Sequence, residues 1–377
     1  MEIERCNNCI LPTSLPSVNL DENRICGLCR AYERQVADWE ANKLQRRKEL
    51  DSLVKRAKDL QRSYDCMVPL SGGKDSTYAL YLCSKVYGLK CICVTFDNGF
   101  LSEQAKRNIE SAVKSADADH RFFRIERNTM LDLYKLFLKK CGTFCPICMR
   151  GIRTSAEETA KKFKVPIVVY GGGSRLAYLS FHQELGEGGS LSFCRNVLKN
   201  EPIGQRIRRP YLKSVPLEAA RVSRVLYSTL RIPMLYALPV NLYDYVDITA
   251  EDLFNTVKKE MKWEKSKDGT FEHMDCTVHR LPNYIHTLKF PELSMNTIYL
   301  SALVRRKELK RDIAIKAANE ELAFPKIPSE LETFLKEIGM NYNEFHDTVK
   351  DWRKLGNYID KRSNFFRDIY HRFNRFM

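Results

Sequence analysis

The chain has 377 residues, 44% hydrophobic and 29% charged, with a formal net charge of +15 and 13 cysteines. That length accommodates two or three domains with a sizeable core. The absence of any run of about 18 apolar residues excludes a membrane-spanning helix, and Met1-Glu2-Ile3-Glu4-Arg5-Cys6 lacks the apolar core of a signal peptide. A cytoplasmic protein is expected, whose cysteines serve as metal ligands, catalytic thiols or core residues rather than disulfides.

The first predicted element is a metal ribbon. Cys6-x-x-Cys9 and Cys26-x-x-Cys29 bracket the loop Leu11-Pro12-Thr13-Ser14-Leu15-Pro16, the spacing of a structural four-thiolate Zn²⁺ site. So small a module has little core, and the metal would supply its folding energy. Residues 31–62 read as one polar helix, with Tyr32, Val36, Trp39, Leu44, Leu50 and Leu53 at roughly helical intervals.

From Cys66 onward strands and helices alternate. Strands are expected at Cys66–Leu70, Cys91–Phe96, His120–Ile125 and Val165–Tyr170, and helices at Thr77–Val86, Ser102–Ala116, Met130–Lys140 and Gly151–Phe163. This βαβ order predicts an α/β fold with an open parallel sheet and helices on both faces. Ligands of such sheets bind at the carboxyl ends of the strands. Three segments lie at such ends: Ser71-Gly72-Gly73-Lys74-Asp75-Ser76, Asp97-Asn98-Gly99, and Gly171-Gly172-Gly173-Ser174. In the first, two adjacent glycines permit close backbone approach, and the Ser71 and Ser76 hydroxyls join backbone N–H groups at a helix start to form an anion cradle. Lys74 adds a mobile positive charge. Asp75 suits Mg²⁺ held against phosphate. Asp97 and Asn98 are candidates near an adenosine, or the residues of a turn. The loop is not the GxxxxGK[ST] pattern, because its glycines directly precede the lysine.

Beyond Ser180 the rhythm breaks. Gly186-Glu187-Gly188-Gly189 reads as a mobile loop, residues 206–248 as a substrate lid or helical insertion, and the chain from about 291 as helical with a break at Pro325 and Pro328. Four domains follow: a ribbon at 1–35, a linker helix at 36–62, the catalytic domain at 63–250 and a mostly helical region at 251–377. Basic residues gather at Arg206, Arg208, Arg209, Lys213, Arg221, Arg224 and Arg231, and again beyond Arg353 among aromatics such as Trp352, Tyr358 and Phe365. Such a tail binds RNA or forms an amphipathic helix with a solvated face.

A second cysteine group, Cys145-Pro146-Ile147-Cys148, opens a helix, and Cys276 follows far downstream. Thiolates at a helix start have lowered pKa values. A CxxC with one distant cysteine gives three ligands for a [4Fe–4S] cluster with one iron left open. Zn²⁺ with His273, Cys194 as the third ligand, and no metal at all are the alternatives. Cys66, Cys83, Cys91 and Cys93 fall in apolar patterns and are expected in the core.

Ser71–Ser76 between a strand and a helix resembles the PP-loop of the ATP pyrophosphatases, whose fold is of the HUP-like type. The resemblance implies ATP cleavage to AMP and pyrophosphate with adenylation of a carbonyl or amide oxygen. Ser71, Gly72, Gly73, Lys74, Asp75, Ser76, Asp97 and Gly171 would bind ATP, and Lys74, Asp75 and Ser76 would act in catalysis. The two CxxC knuckles, Tyr64–Ser76, Arg107-Asn108-Ile109-Glu110 and Ile338–Phe345 together look like the N-acetyl sugar amidotransferases of surface-polysaccharide and nonulosonic-acid pathways. Members add ammonia to an activated acetamido group, the ammonia coming from a glutaminase through a cyclase-like partner. An external source is expected here too, since residue 2 is Glu2 and no Gly-x-Cys-x-Gly elbow occurs. The Cys145/Cys148/Cys276 set departs from that family and is similar to iron–sulfur-dependent tRNA thiolation enzymes, which raises sulfide as the nucleophile and RNA or a small metabolite as the substrate. A third reading is an RNA-binding or regulatory protein with an inactive loop, against which the intact Lys74-Asp75-Ser76 argues. A homodimer is among the assemblies allowed for.

Overall fold

The computed structural model describes residues 3–15, 18–172, 191–212, 237–265, 275–324, 326–351 and 358, with the backbone alone at 208–212. Gly173-Ser174, Gly186–Gly189, Lys213, Arg221, Arg224, Arg231, His273, Pro325 and nearly all of the basic, aromatic C-terminal segment lie outside the described residues.

Cys66–Pro69 (β1) and Cys91–Asp97 (β2) are almost continuously buried, so both faces of the sheet must be covered. With Asp119–Arg124 (β3), Ile167–Tyr170 (β4) and Leu238–Asn241 (β5) they form one sheet in the order β3-β2-β1-β4-β5. Every pairing is parallel, and Cys66 stands opposite both Cys91 and Ile167. The chain winds from β1 out to one edge and then returns to the other side. The crevice between the ends of β1 and β4 is therefore a topological switch point, where open α/β sheets bind ligands.

Strand periodicity sorts the side chains between two layers. Cys66, Val68, Cys91, Cys93, Ile167 and Val169 face one core, shared with Lys74–Tyr81 (α2), Glu103–Ala116 (α3) and the second half of Gly27–Asp59 (α1). Met67, Ile92, Val94 and Val168 face the other, against Ala156 and Ala160 of the helix Cys145–Phe163. Arg127–Cys141 (α4), Cys145–Phe163 (α5), Leu191–Val197 (α6) and Pro202–Leu212 (α7) extend that side into a larger cluster. Ala250–Met261 (α8) packs on α2 and α3. Leu281–Lys289 (α9), Thr297–Arg305 (α10), Arg311–Ala323 (α11), Leu331–Glu337 (α12) and Tyr342–Lys350 (α13) complete the C-terminal part.

Two differences from the sequence reading have physical causes. Within residues 206–248, expected to form a substrate lid or helical insertion, 206–212 belong to helix α7, but 238–241 form a strand of the main sheet. Pro239 disguises β5, but at the sheet's edge a missing N–H is tolerated. Helix α1 starts at Gly27, inside the second knuckle, and Leu44 on it is exposed. Cys66, Cys83, Cys91 and Cys93 are buried as expected.

Candidate active site

The loop after β1 is shaped by its own polar atoms. Ser71 N–H donates to Ser76 Oγ (3.2 Å), Ser76 Oγ donates to Gly73 O (3.1 Å), and Gly73 N–H donates to Ser71 Oγ (3.3 Å). Gly72 sits at φ +83°, and a Cβ there would meet Ala105 O of α3 at 2.5 Å. Only glycine fits that conformation and that contact. Gly171, which follows β4, lies against the first turn of α2; a Cβ on it would be 2.4 Å from Asp75 O and 2.7 Å from Ser76 N. The switch-point crevice thus brings Ser71–Ser76 and Gly171 together.

Asp75 stands in the first turn of α2 with both oxygens engaged. Lys74 Nζ reaches Oδ2 at 2.9 Å and Tyr243 donates its hydroxyl to Oδ1 at 3.3 Å. Burial, and then the neighbouring Asp75 charge, raise the Tyr243 pKa well above the phenol range, so it remains a donor. Its backbone N–H donates to Gly172 O (3.0 Å), tying the turn after β5 to the end of β4.

A second set of groups fixes the direction of the loop. Gly72 O accepts from Trp263 Nε1 (2.8 Å) and Asn108 Nδ2 (3.2 Å). In a trans peptide the N–H points opposite the carbonyl. Turning Gly72 O into the protein therefore turns Gly73 N–H towards the cradle. Asn108 also donates to Glu264 O (2.9 Å) and accepts from Glu264 N–H (3.0 Å) and Gln104 Nε2 (3.1 Å), which uses its full hydrogen-bonding capacity. Trp263 and Tyr243 were not singled out from the sequence, and nothing local marks them. Asn108 carried a signal, because it lies among Ala105, Ile109 and Ala112 on the buried face of α3.

At the end of β2, Asp97 and Asn98 form a turn. Gly99 N–H donates to Asp97 Oδ1 (3.0 Å), Phe100 N–H donates to Asn98 Oδ1 (2.9 Å), and Arg124 Nε pairs with Asp97 Oδ2 (2.8 Å). The Asn98 amide faces the second cysteine group: its Nδ2 lies 3.7 Å from Cys148 Sγ and 3.8 Å from Cys276 Sγ. Cys276 arrives there because it bridges to Leu101 in antiparallel fashion. The Tyr134 hydroxyl is 2.9 Å from Cys148 Sγ. Burial pushes the Cys148 thiol up to about 11, partly offset by hydrogen bonds from Tyr134 and Asn98, and pushes Cys276 up to about 12. Cys145, the first residue of α5, is half-buried and packs against the same apolar cluster. Cys194 is fully buried, 3.7 Å from Pro146 O.

In the ribbon, the Sγ atoms of Cys6, Cys9, Cys26 and Cys29 all lie within 4.8 Å of one another. Cys6–Cys29 measures 3.9 Å and Cys9–Cys26 measures 3.8 Å. A tetrahedron with metal–sulfur bonds of about 2.3 Å has edges of about 3.8 Å, so the four thiols have the dimensions of such a site. Among the described residues no other group of three or more His, Cys, Asp or Glu side chains is so close. Cys145, Cys148 and Cys276 therefore do not close to the spacing of a single-ion site, although two of them share one amide.

Residues 268–372 match the family described as LPS biosynthesis protein WbpG-like, C-terminal domain. The glycine loop Ser71–Ser76 lies outside that match, at the switch point of the parallel sheet. The chain is 24% identical over 168 residues to uncharacterized protein MJ1599 of Methanocaldococcus jannaschii, a match over 44% of this chain and 58% of that protein. Among solved structures it is similar to the U34-tRNA thiolase NcsA of Methanococcus maripaludis with its [4Fe-4S] cluster, at 11% identity and TM-score 0.32, over 96% of this chain and 100% of that one. It is also similar to NMN synthetase of Francisella tularensis, at 14% identity and TM-score 0.26, over 64% of this chain and 99% of that one. No activity follows from TM-scores of this size. Among the described residues no helix is long and apolar enough to cross a membrane.

Proposed function

We propose that the protein adenylates the acetamido oxygen of an N-acetylated sugar and amidates it, as in surface-polysaccharide or nonulosonic-acid synthesis. The observation that carries this reading is the glycine loop at the switch point, with Lys74 and Asp75 paired at the start of α2 and a WbpG-like match in the same chain. Gly73 N–H, the α2 start and the Ser71 and Ser76 hydroxyls bind the β- and γ-phosphates. Lys74 neutralises the departing pyrophosphate, and Asp75 would hold Mg²⁺. The acetamido oxygen attacks the α-phosphorus and pyrophosphate leaves. Ammonia then adds to the activated carbon, and AMP departs with the acetamido oxygen. A separate glutaminase with a cyclase-like partner supplies the ammonia. Zn²⁺ in the Cys6/Cys9/Cys26/Cys29 site stabilises the ribbon.

The shared position of Cys148 and Cys276 at Asn98 favours one second reading, a sulfurtransferase acting on a tRNA base or small metabolite. Cys145, Cys148 and Cys276 would hold a [4Fe–4S] cluster, whose open iron supplies a site for sulfur when it is bound. Incubation of anaerobically purified protein with MgATP, an N-acetylated sugar and ammonium tests the first reading. Sugar-dependent release of AMP and pyrophosphate is expected. ADP and phosphate, or AMP release indifferent to the sugar, overturns it, and a brown protein needing a sulfur donor moves the assignment to the second.

A further inference from the structure

The four thiols of the ribbon are completely buried. On the reading that they bind Zn²⁺, four thiolates and one divalent ion leave a net charge of about −2 in the interior. Buried charge of that size calls for a nearby counter-charge. Two guanidinium groups stand beside it. Arg311, the first residue of α11, donates from Nε to Cys9 O (3.0 Å) and from its Nη2 to Cys6 O (2.9 Å), spanning both ends of the first knuckle. Arg5, only 7% exposed, donates to Ile10 O (2.7 Å) and Asn319 Oδ1 (3.1 Å).

Among the described residues neither arginine has a carboxylate within ion-pair distance. The guanidinium of buried Arg5 and that of half-buried Arg311 are costly side by side next to four neutral thiols and favourable next to four thiolates. The apolar contacts run the same way. Leu11, Leu15 and Cys29 share a core with Phe290 and Leu293, and Ile10 packs with Val304, Ala314 and Ala318.

We propose that Arg311 and Arg5 are the charge-compensating outer shell of the ribbon metal site, so that metal retention depends on α11 being docked, and docking on the metal. The ribbon is on this view not an autonomous module. Arg311 reaches it from the WbpG-like region, more than 300 positions along the chain.

The test is zinc retention by the full-length protein, measured by competition with the chromogenic chelator 4-(2-pyridylazo)resorcinol alongside thermal melting. Arg311→Met should weaken zinc retention 10- to 100-fold, the usual cost of removing an outer-shell partner. Arg311→Lys, which keeps the charge but not the fork, should fall between it and the wild type. Arg5→Met should act like Arg311→Met and serves if that variant does not fold. Arg24→Met, which breaks an exposed pair with Glu4 on the same ribbon, should leave retention unchanged. Wild-type retention in both Arg311→Met and Arg5→Met, with only the melting temperature lowered, would reduce the arginines to mechanical struts and overturn the proposal. A wild-type protein that binds no zinc would overturn the four-thiolate reading first, and the outer shell with it.

Discussion

Gly171→Ala adds one methyl group at the tightest backbone contact of the site. Its Cβ would lie 2.4 Å from Asp75 O, 2.5 Å from Asp75 C and 2.7 Å from Ser76 N. Carbon atoms rest at about 3.5–4.0 Å from their neighbours, so β4 and the first turn of α2 must separate by about 1 Å. Overpacking of this kind costs about 1–3 kcal/mol. More consequentially, the turn that moves carries Asp75 and Ser76, and a misplacement of about 1 Å at reacting groups costs on the order of 10²-fold in rate. Gly172→Ala is the matched control, because no atom of the described residues lies within 4 Å of a Cβ at that position. The assay is AMP release from MgATP, with ATP affinity by titration calorimetry and a thermal melt of each variant. Gly171→Ala should lose about two orders of magnitude in turnover while Gly172→Ala stays within a few-fold of wild type. Equal activity in the two variants would refute the link between Gly171 packing on the first turn of α2 and turnover.

Asp75→Asn keeps the hydrogen bond with Tyr243 but removes the charge, and should lower AMP release about 10²–10³-fold with little change in melting temperature. Trp263→Phe leaves Gly72 O with Asn108 as its one side-chain donor among the described residues; ATP affinity should fall about tenfold, or ~1.4 kcal/mol, and an unchanged affinity would show that the indole does not orient the loop. His120, 2.8 Å from Thr95 Oγ1, is lowered by burial to about 4 from an ordinary value of 6.5. The unfolded chain therefore binds the extra proton first, and stability should decline as pH falls from about 6.5 to about 4. The full linkage is about 3 kcal/mol, and about half that after allowance for the ring's partial exposure. Denaturant midpoints at pH 7 and pH 4.5 should differ less in His120→Gln than in wild type, and an identical decline in both would remove His120 as the cause.

The parts of this molecule that were readable in the sequence are those whose chemistry is local. Ser71–Ser76 declares itself because strand, glycine pair, lysine, aspartate and helix occupy consecutive positions, and the ribbon because both knuckles keep a CxxC spacing. Continuous apolar runs made β1 and β2 legible. β5 was missed since four residues including Pro239 carry no strand signal of their own, and pairing with β4 supplies it. Trp263 and Tyr243 owe their roles to contacts across 191 and 168 positions, which no periodicity encodes. Asn108 was half-legible, as a polar residue on an apolar helix face. Residue type leads one to expect Cys145, Cys148 and Cys276 together beside the glycine loop; Cys148 and Cys276 meet at Asn98, a neighbour that residue type does not indicate, since a bridge to Leu101 brings Cys276 there. The ribbon's attachment to Phe290, Leu293 and Arg311 was likewise invisible, being tertiary throughout.

The central claim is that ATP activates a carbonyl oxygen by transfer of AMP, and an isotope decides it most directly. An N-acetylated sugar carrying ¹⁸O in its acetamido carbonyl is turned over with MgATP and ammonium, and the products are analysed by mass spectrometry. The label should appear in the phosphate of AMP, with pyrophosphate unlabelled and nitrogen in place of oxygen in the sugar. Label in inorganic phosphate beside ADP, or label retained in the sugar while ATP is consumed, would contradict it.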